Sequence, residues 1–273
     1  MYLSGRTQIL SFPILDCLQR ILNSGFDGVE ICLENDDISP EVLDADIAHW
    51  IRDHAVNLGL RPCSVSYHKN YIYDDKLFDE TKKAIRLTPE FGSNIFVFGG
   101  CVRGGDADEW TRKVDRTRAL VEVAESSGVI LAEEFEPGFI VGSTADLHRL
   151  FDAIPSPNLT ANLDLGHVFL CDPDPIVAIK SLEGRVSHCH IENMKAGVHK
   201  HLPPDEGDME LGQYLSALQG IGFEGPMALD LYGCDYQVIA ARAVPYLRQL
   251  MDGIKGTVKK SMKTDERVKT SVY

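Results

Sequence analysis

Four side chains that can bind a metal ion recur at predicted strand ends in the second half of the chain. Each closes a short, strand-like apolar segment: Glu134, Asp164, His190 and Asp230. Alone, an Asp in such a place usually caps a helix, and an inward-facing His usually forms a hydrogen bond in the core. Together, three carboxylates and an imidazole are costly to bury unpaired, and a divalent cation would offset that cost. The oxygen-rich set suits one Mn²⁺ ion, with Mg²⁺, Co²⁺ or Zn²⁺ as alternatives.

The alternation of side chains along a strand predicts a shared orientation for these groups. Residues two apart in a strand point to the same face. Three same-face pairs follow from this rule, namely Asn162 with Asp164, His188 with His190, and Ala228 with Asp230. One face of each strand can therefore direct a ligand toward a common point, provided that the strands end at the same edge of a sheet.

Eight strand-like segments alternate with helical ones, which predicts repeated βαβ units around a parallel sheet. The segments are residues 2–9, 27–32, 61–67, 94–99, 128–135, 159–164, 185–191 and 226–231. Eight such units favour a (β/α)8 TIM barrel, a fold of about 250 residues with its functional groups at the carboxyl ends of the strands. An open, doubly wound sheet is the competing architecture, but the sequence lacks the Gly-rich first turn that is typical of it.

Helix signals are clearest in three places between these strands. Ser11 is positioned to cap a helix that has Pro13 in its first turn. The buried face of that helix is predicted to contain Ile14, Leu18 and Ile21. Apolar residues at helical spacing over 108–127 indicate a second helix, and a third, over 75–91, must end or kink at Pro89.

Composition narrows the class of protein. The chain has 273 residues, 44% hydrophobic and 25% charged, which is ordinary for a globular domain. No apolar run is long enough to span a membrane, and the N-terminus resembles no secretory signal, so we expect a cytoplasmic protein without a membrane partner. The net charge of −14 disfavours nucleic acid as a partner. Seven cysteines without a CxxC pair fit reduced thiols better than a disulfide framework.

The C-terminal end differs in composition from the rest of the chain. Residues 1–252 are predicted to form the single barrel domain. Residues 253–273 contain six basic and two acidic side chains with little periodicity. Such a segment is typical of a solvated or disordered tail, and the alternative is an arm that takes part in a homo-oligomer.

Five segments resemble one known group of proteins, the xylose isomerase-like superfamily. Within it, they are similar to the sugar phosphate isomerase/epimerase branch, which includes ketose 3-epimerases and hydroxypyruvate isomerases. The resemblance spans about residues 7–250 and is most specific over strands 5 to 8. The segments are GFDGVEI (25–31), NLDLGH (162–167), HCHIENM (188–194), HLPPDEGD (201–208) and GFEGPMALDLY (222–232).

This resemblance implies one divalent metal ion held by Glu, Asp, His and Glu at the ends of strands 5 to 8. Carried onto this chain, the ligands are Glu134, Asp164, His190 and Asp230. The last is a departure, because a shorter Asp stands where the family usually has Glu. In the segment EEFEP, counting from Gly128 selects Glu134 as the ligand. Glu136 shares its face and is expected beside the substrate, whereas Glu133 points the other way and is expected to be structural or solvated.

Several cavity residues are also implied by the resemblance or by their place in βα loops. His167 matches the substrate-contacting His of a D-x-x-H pattern, although a cap on the following loop is the alternative. His201 opens a loop similar to the family's, with Asp205 where Gly is usual. Substrate contacts are further expected for His68 and Lys195, and Glu30 near the barrel mouth fits either a substrate contact or a core role. Other basic groups in these loops are Lys69, Arg103 and Lys200.

The implied activity is a metal-dependent isomerase or epimerase that moves a proton next to the carbonyl of a ketose or related polyol. Glu134 and Asp230 would serve as the acid/base pair as well as metal ligands. A lyase similar to inosose dehydratase, acting on a cyclitol, is the alternative within the same fold. An endonuclease IV-like hydrolase is a second alternative, but residues 97–100 read VFGG where that family has a strand-4 His. A non-catalytic binding protein is the third.

Overall fold

The computed structural model describes residues 1–7, 13–35 and 37–269, and these ranges contain ten β-strands. Ser11 and the last two residues of the first predicted strand lie outside the described residues. The strands are β1 (Tyr2–Arg6), β2 (Gly28–Cys32), β3 (Arg61–His68), β4 (Ile95–Gly99), β5 (Ile130–Glu134), β6 (Leu159–Asp164), β7 (Val186–Ile191), β8 (Asn193–Lys195), β9 (Val198–Leu202) and β10 (Pro226–Leu229).

Eight of these strands close into a parallel barrel, which confirms the predicted TIM fold. Their order around the barrel is β1, β10, β7, β6, β5, β4, β3 and β2, and every neighbouring pair is parallel. Strands β8 and β9 form a separate antiparallel hairpin after β7. Strands β5, β6, β7 and β10 are therefore neighbours, so their carboxyl ends, where the candidate ligands lie, are adjacent.

Nine α-helices surround the barrel in the described part of the chain. They are α1 (Ile14–Asn23), α2 (Ala45–Asn57), α3 (Asp75–Leu87), α4 (Glu109–Ser127), α5 (Thr144–Ala153), α6 (Leu165–Cys171), α7 (Pro175–Ser181), α8 (Leu211–Gly220) and α9 (Tyr236–Lys269). The predicted face of α1 is buried, and α3 ends before a 3-10 turn (Thr88–Phe91) that contains Pro89. Within the described ranges, none of the helices has the length and apolar character needed to cross a membrane.

Two elements differ from the predicted boundaries. Strand β10 ends at Leu229, one residue before Asp230, although the Asp230 amide still donates to the Ile191 carbonyl oxygen at 3.1 Å. Helix α9 continues to Lys269, so the backbone of 253–269 is helical where the composition suggests an unstructured tail. The end of the barrel domain at residue 252 remains a prediction.

A buried ion pair joins strand β5 to helix α4. Lys113 Nζ lies 2.7 Å from Glu133 Oε1 and 2.7 Å from the Tyr71 hydroxyl oxygen, and all three side chains are buried. Glu133 faces the helices because it alternates with Glu134, which faces the barrel interior. This placement gives Glu133 the structural position that the sequence suggests.

We expect Lys113→Met to destabilise the fold by about 3–5 kcal/mol, because it leaves the Glu133 carboxylate buried without its cation. Urea unfolding followed by circular dichroism would measure the loss in free energy. The double variant Lys113→Met/Glu133→Leu, which removes both charges, should recover most of it. A single variant within 1 kcal/mol of the original protein, on the order of a surface pair, would contradict a structural role for the pair.

Candidate functional site

A cavity of about 610 Å³ opens at the end of the barrel where the parallel strands terminate. Its walls are mostly polar and come from residues on the strand ends and the loops that follow them. The lining residues are Arg6, Glu34, His68, Lys69, Gly100, Glu134, Glu136, Phe139, His167, His199, Lys200, His201, Asp230 and Tyr232.

The four predicted metal ligands meet on one side of this cavity. One ligand atom from each lies within 4.8 Å of the others, in the group Glu134, Asp164, His190 and Asp230. All four side chains are buried. Their roles as ligands remain a prediction, but adjacent strand ends bring together the three carboxylates and one imidazole that the sequence singles out.

Hydrogen bonds orient the His190 ring within this group. Its Nε2 lies 3.0 Å from Glu30 Oε2, and its Nδ1 faces Glu134 Oε1 at 3.2 Å. Burial acts to raise the pKa of Glu30, but Arg6 and His190 outweigh it and hold that pKa well below its usual range. An ionised Glu30 therefore accepts a hydrogen bond from the Nε2–H group and leaves Nδ1 directed at the carboxylates. Carboxylates commonly orient metal-bound histidines in this way.

His188 lies next to this group and is linked to His190 through Asn162. Its Nδ1 lies 2.8 Å from Asn162 Oδ1, and its Nε2 lies 2.9 Å from the Ser64 hydroxyl oxygen. Burial lowers the pKa of His188 to about 3, so the ring is neutral near pH 7. A neutral ring donates from Nδ1 to Asn162 and accepts at Nε2 from Ser64. The Asn162 amide is thereby turned toward His190 Nδ1, from which its Nδ2 lies 3.2 Å.

Asp164 provides the observation that best tests whether a cation fits this group. Its Oδ1 accepts from the His167 amide at 2.8 Å and so caps helix α6. Its Oδ2 is buried and has no hydrogen-bond partner among the described residues. A buried carboxylate oxygen without a donor is unfavourable unless a cation approaches it. The set of donors and this free oxygen are together compatible with a divalent metal ion.

Asp230 binds Arg6, a residue from the opposite end of the sequence. Arg6 Nη1 donates to Asp230 Oδ1 and, at 2.8 Å, to the Tyr232 hydroxyl oxygen, while its Nε donates to Glu30 Oε1 at 2.9 Å. Burial acts to raise the pKa of Asp230, but Arg6 and then His190 lower it below its ordinary value. Asp230 is therefore ionised and held on one side by the guanidinium.

His68 lies between two carboxylates at the cavity wall. Its Nε2 is 2.8 Å from Glu134 Oε2, and its Nδ1 is 3.1 Å from Glu34 Oε1. Burial acts to lower the pKa of His68, but the bonds to Glu134 and Glu34 prevail and raise it to about 10. His68 thus occupies the barrel mouth, as predicted, and positions the Glu134 carboxylate.

Three histidines form the outer wall of the cavity. His167 Nδ1 lies 2.8 Å from the Phe135 carbonyl oxygen, and His201 Nδ1 lies 3.0 Å from the Asp230 carbonyl oxygen. Both rings therefore donate from Nδ1 to a backbone carbonyl oxygen. His167 Nε2 lies 3.1 Å from His199 Nε2. Glu136 lies beside them, and burial raises the pKa of its carboxyl group to about 7.

Lys195 lies elsewhere than the sequence suggests. It is exposed on the hairpin strand β8 and is not among the cavity-lining residues, because the chain has left the barrel by this point. Lys69 and Lys200 do line the cavity. Lys69 and Lys200, and not Lys195, are therefore the lysines on the cavity wall, and the substrate contact of Lys195 stays a prediction.

Sequence reasoning missed four residues around the predicted ligands: Arg6 and Glu192, which are buried, Glu34, which is partly buried, and Tyr232, which is exposed. Arg6 interrupts the apolar pattern of the first predicted strand. The strand-end rule would have found it, since Arg6 ends β1 and pairs in register with Glu30 on β2. Glu192 follows β7, and burial, together with the charges of Asp164 and Asp230, holds its pKa well above the usual range.

The chain belongs to the xylose isomerase-like TIM barrel family, whose model matches residues 18–250. It is 24% identical over 237 residues to the L-ribulose-5-phosphate 3-epimerase UlaE of Escherichia coli, covering 80% of this chain and 82% of the relative. A solved L-ribulose 3-epimerase superposes with a TM-score of 0.81 at 16% identity, covering 95% and 97% of the two chains.

A probable 3-DHS dehydratase, AsbF from Bacillus anthracis, superposes with a TM-score of 0.77 at 16% identity, covering 91% of this chain and 99% of that one. At such identities the structural likenesses show the fold alone. Because structures named as an epimerase and as a dehydratase share it, the fold does not choose between these reactions.

Gly166, inside the D-x-x-H segment, packs closely against two buried side chains. A β-carbon there would lie 2.3 Å from Glu192 Oε1 and 2.4 Å from Met194 Cε. We expect Gly166→Ala to destabilise the protein by about 1–3 kcal/mol, because these buried groups must move. Urea unfolding would measure it, with Gly212→Ala as the control, since nothing lies within 4 Å of a β-carbon there. Equal stability of the two variants would contradict this packing constraint.

Proposed function

We propose that this protein is a divalent-metal-dependent isomerase or epimerase that transfers a proton next to the carbonyl of a ketose or related polyol. The observation that supports it most directly is the convergence of Glu134, Asp164, His190 and Asp230 beside a polar cavity. The relatives named as L-ribulose-5-phosphate 3-epimerase and L-ribulose 3-epimerase support the same class of substrate. Among divalent ions, Mn²⁺ matches the ligand set best, with Mg²⁺, Co²⁺ and Zn²⁺ as alternatives.

The metal ion would be held by the three carboxylates and His190 Nδ1. When bound, it would supply Lewis-acid polarisation of a substrate carbonyl oxygen. His190 would present the lone pair of Nδ1 because its Nε2–H group donates to Glu30, and Asp164 would contribute Oδ2 because Oδ1 caps helix α6. These residues would hold the reacting part of the substrate against one wall of the cavity.

Glu134 and Asp230, which lie on the two outer strands of the four that carry the predicted ligands, would carry out the proton transfer. Glu134 ends β5 and Asp230 follows β10, with the Asp164 and His190 strands between them. They therefore flank the space where a substrate carbon would lie. The ionised Asp230 would remove the proton from the carbon next to the carbonyl, and Glu134, entering this step as the protonated acid, would give its proton to the opposite face. Such acid/base catalysis typically contributes about 10²–10⁴-fold to the rate.

The remaining cavity residues would orient substrate hydroxyl groups. His167 and His201 line the cavity with Nδ1 bound to backbone carbonyl oxygens, while His68 contacts Glu134, and Glu136 also lines the cavity. Such positioning matters because a misplaced reacting carbon loses much of the rate. A lyase acting on a cyclitol would start from the same proton abstraction, and only its product, formed with loss of water, would differ.

If this metal centre exists, the protein binds one divalent ion per chain. We expect Asp164→Asn to weaken this binding by more than about 100-fold, because loss of a residue that only supports a ligand already lowers metal affinity about 10–100-fold. The amide oxygen still accepts from the His167 amide, so the α6 cap is kept. Metal analysis and calorimetric titration with Mn²⁺ of chelated protein would measure it. Asp152→Asn, an exposed change on α5, is the control. Full occupancy in Asp164→Asn, or two ions per unaltered chain, would be evidence against a single centre.

The reaction predicts that, in D₂O, deuterium enters the carbon next to the carbonyl of the true substrate. We expect Asp230→Asn to lower the exchange rate by about 10²–10⁴-fold at saturating metal, because an amide cannot take a proton. Nuclear magnetic resonance on a panel of ketoses and cyclitols would follow exchange and products. A product that has lost water would favour the lyase. Exchange that persists in Asp230→Asn would remove Asp230 from the acid/base pair.

A further inference from the structure

Arg6 is placed by barrel closure between two strands that are far apart in sequence. Strand β1 pairs with β10 on one side and with β2 on the other. The buried Arg6 side chain uses both neighbours, donating through Nε to Glu30 and through Nη1 to Asp230. Its backbone amide donates to the Tyr236 hydroxyl at 3.3 Å, and that hydroxyl donates to the Leu229 carbonyl oxygen at 3.1 Å. The guanidinium is therefore fixed relative to the end of β10.

The two oxygens of Asp230 face different partners. Oδ1 accepts from Arg6, whereas Oδ2 lies 3.6 Å from His190 Nδ1 and 3.6 Å from His201 Nδ1. The carboxylate thus bridges the guanidinium and the ligand group. Its backbone is held as well, through the bond to the Ile191 carbonyl oxygen. With both ends fixed, the length of this side chain decides where Oδ2 lies.

A longer side chain would not fit between these fixed points. Glu at position 230 would extend the carboxylate by one carbon–carbon bond, about 1.5 Å. Withdrawal of the guanidinium would break its bond to the buried Glu30 carboxylate, and Nη1 also donates to the exposed Tyr232 hydroxyl. The carboxylate would have to leave either Arg6 or the ligand group. Asp at this position and Arg at position 6 are therefore mutually required.

We propose that Arg6 is a positioning residue that fixes the reach of the Asp230 carboxylate, so that Arg6 and Asp230 act as one unit in the metal centre. Arg6 has this role only if the metal centre of the proposed function exists. A merely structural Arg6 would instead support β1 against β2 and β10 without affecting how tightly the metal binds.

A double-mutant cycle on metal affinity tests this coupling. Arg6→Lys keeps the charge, but one ammonium cannot reproduce the planar fork that reaches Glu30 and Asp230 together. Calorimetric titration with Mn²⁺ would compare Arg6→Lys, Asp230→Glu and the double variant. We expect each single change to weaken Mn²⁺ binding about 10–100-fold, as removal of an outer-shell partner typically does. The double variant should return to within about threefold of the original Kd, because a flexible cation leaves room for the longer carboxylate.

Matched controls separate positioning from loss of fold and from failure of the metal centre. Arg248→Lys changes an exposed arginine that binds Asp27 at 2.8 Å and should leave the Kd unchanged. Circular dichroism must show that each variant is folded at the titration temperature. If Arg6→Lys unfolds, Arg6→Gln replaces it, because glutamine also fails to hold Asp230 as an ion pair. Unchanged affinity in folded Arg6→Lys, tighter binding in Asp230→Glu alone, or additive losses in the double variant would each overturn the coupling while leaving the metal centre intact. If the unaltered protein shows no Mn²⁺ binding that depends on Asp164, the metal centre and the coupling both fail.

Discussion

The buried negative charge at the barrel mouth is the constraint on which the rest of the site depends. Glu30, Glu134, Asp164 and Asp230 are all buried within a few ångströms of one imidazole, and Arg6 is the arginine that reaches two of them. Buried carboxylates need cations or donors close by. Arg6 and His190 supply part of that compensation, and Asp164 Oδ2 still lacks a partner in the described structure. This imbalance is the physical reason for assigning a cation to the site.

Barrel closure is what makes the compensation possible. Arg6 and Asp230 are 224 residues apart in sequence, and they meet because β1 pairs with β10. His190 and Glu30 are 160 residues apart and face each other across the interior. A closed barrel directs alternate residues of every strand to one interior, so strands that are not neighbours still share contacts there. An open sheet would leave Arg6 and Asp230 at opposite edges.

The sequence predicts those features of the site that depend on residues close together in the chain, and it does not predict contacts between residues that are far apart in the chain. Strand periodicity is local, and it predicts the orientation of Asp164, His190 and Asp230, whereas the resemblance to the family selects Glu134 within EEFEP and so sets Glu133 on the other face. The ion pair of Arg6 with Asp230 is not local, and Arg6 interrupts the apolar pattern by which a strand is recognised. Lys195 was misplaced for a related reason, since the hairpin β8–β9 turns the chain away from the barrel. The helical end of α9 has too little periodicity in its sequence to be predicted.

The cavity has a buried part, the floor, formed by the four predicted ligands and Arg6, and an outer part, the wall, formed by the other lining residues. These two parts would have different effects on which substrates the site accepts. The ligand group is buried and held by barrel strands, whereas Glu136 lies on the loop after β5, and His199 and Lys200 lie on the β8–β9 hairpin that follows β7; all three are partly or fully exposed. Strand-held groups keep a fixed geometry, and loop residues vary more readily between relatives. The wall offers imidazoles, a carboxyl group and two lysines, with Phe139 and Tyr232 as its aromatic members. Such a surface suits a small polyhydroxylated molecule, because most of the residues that line it carry hydrogen-bonding groups. Reaction type would then be decided at the floor, by Glu134 and the Arg6–Asp230 pair, and the choice among substrates at the wall.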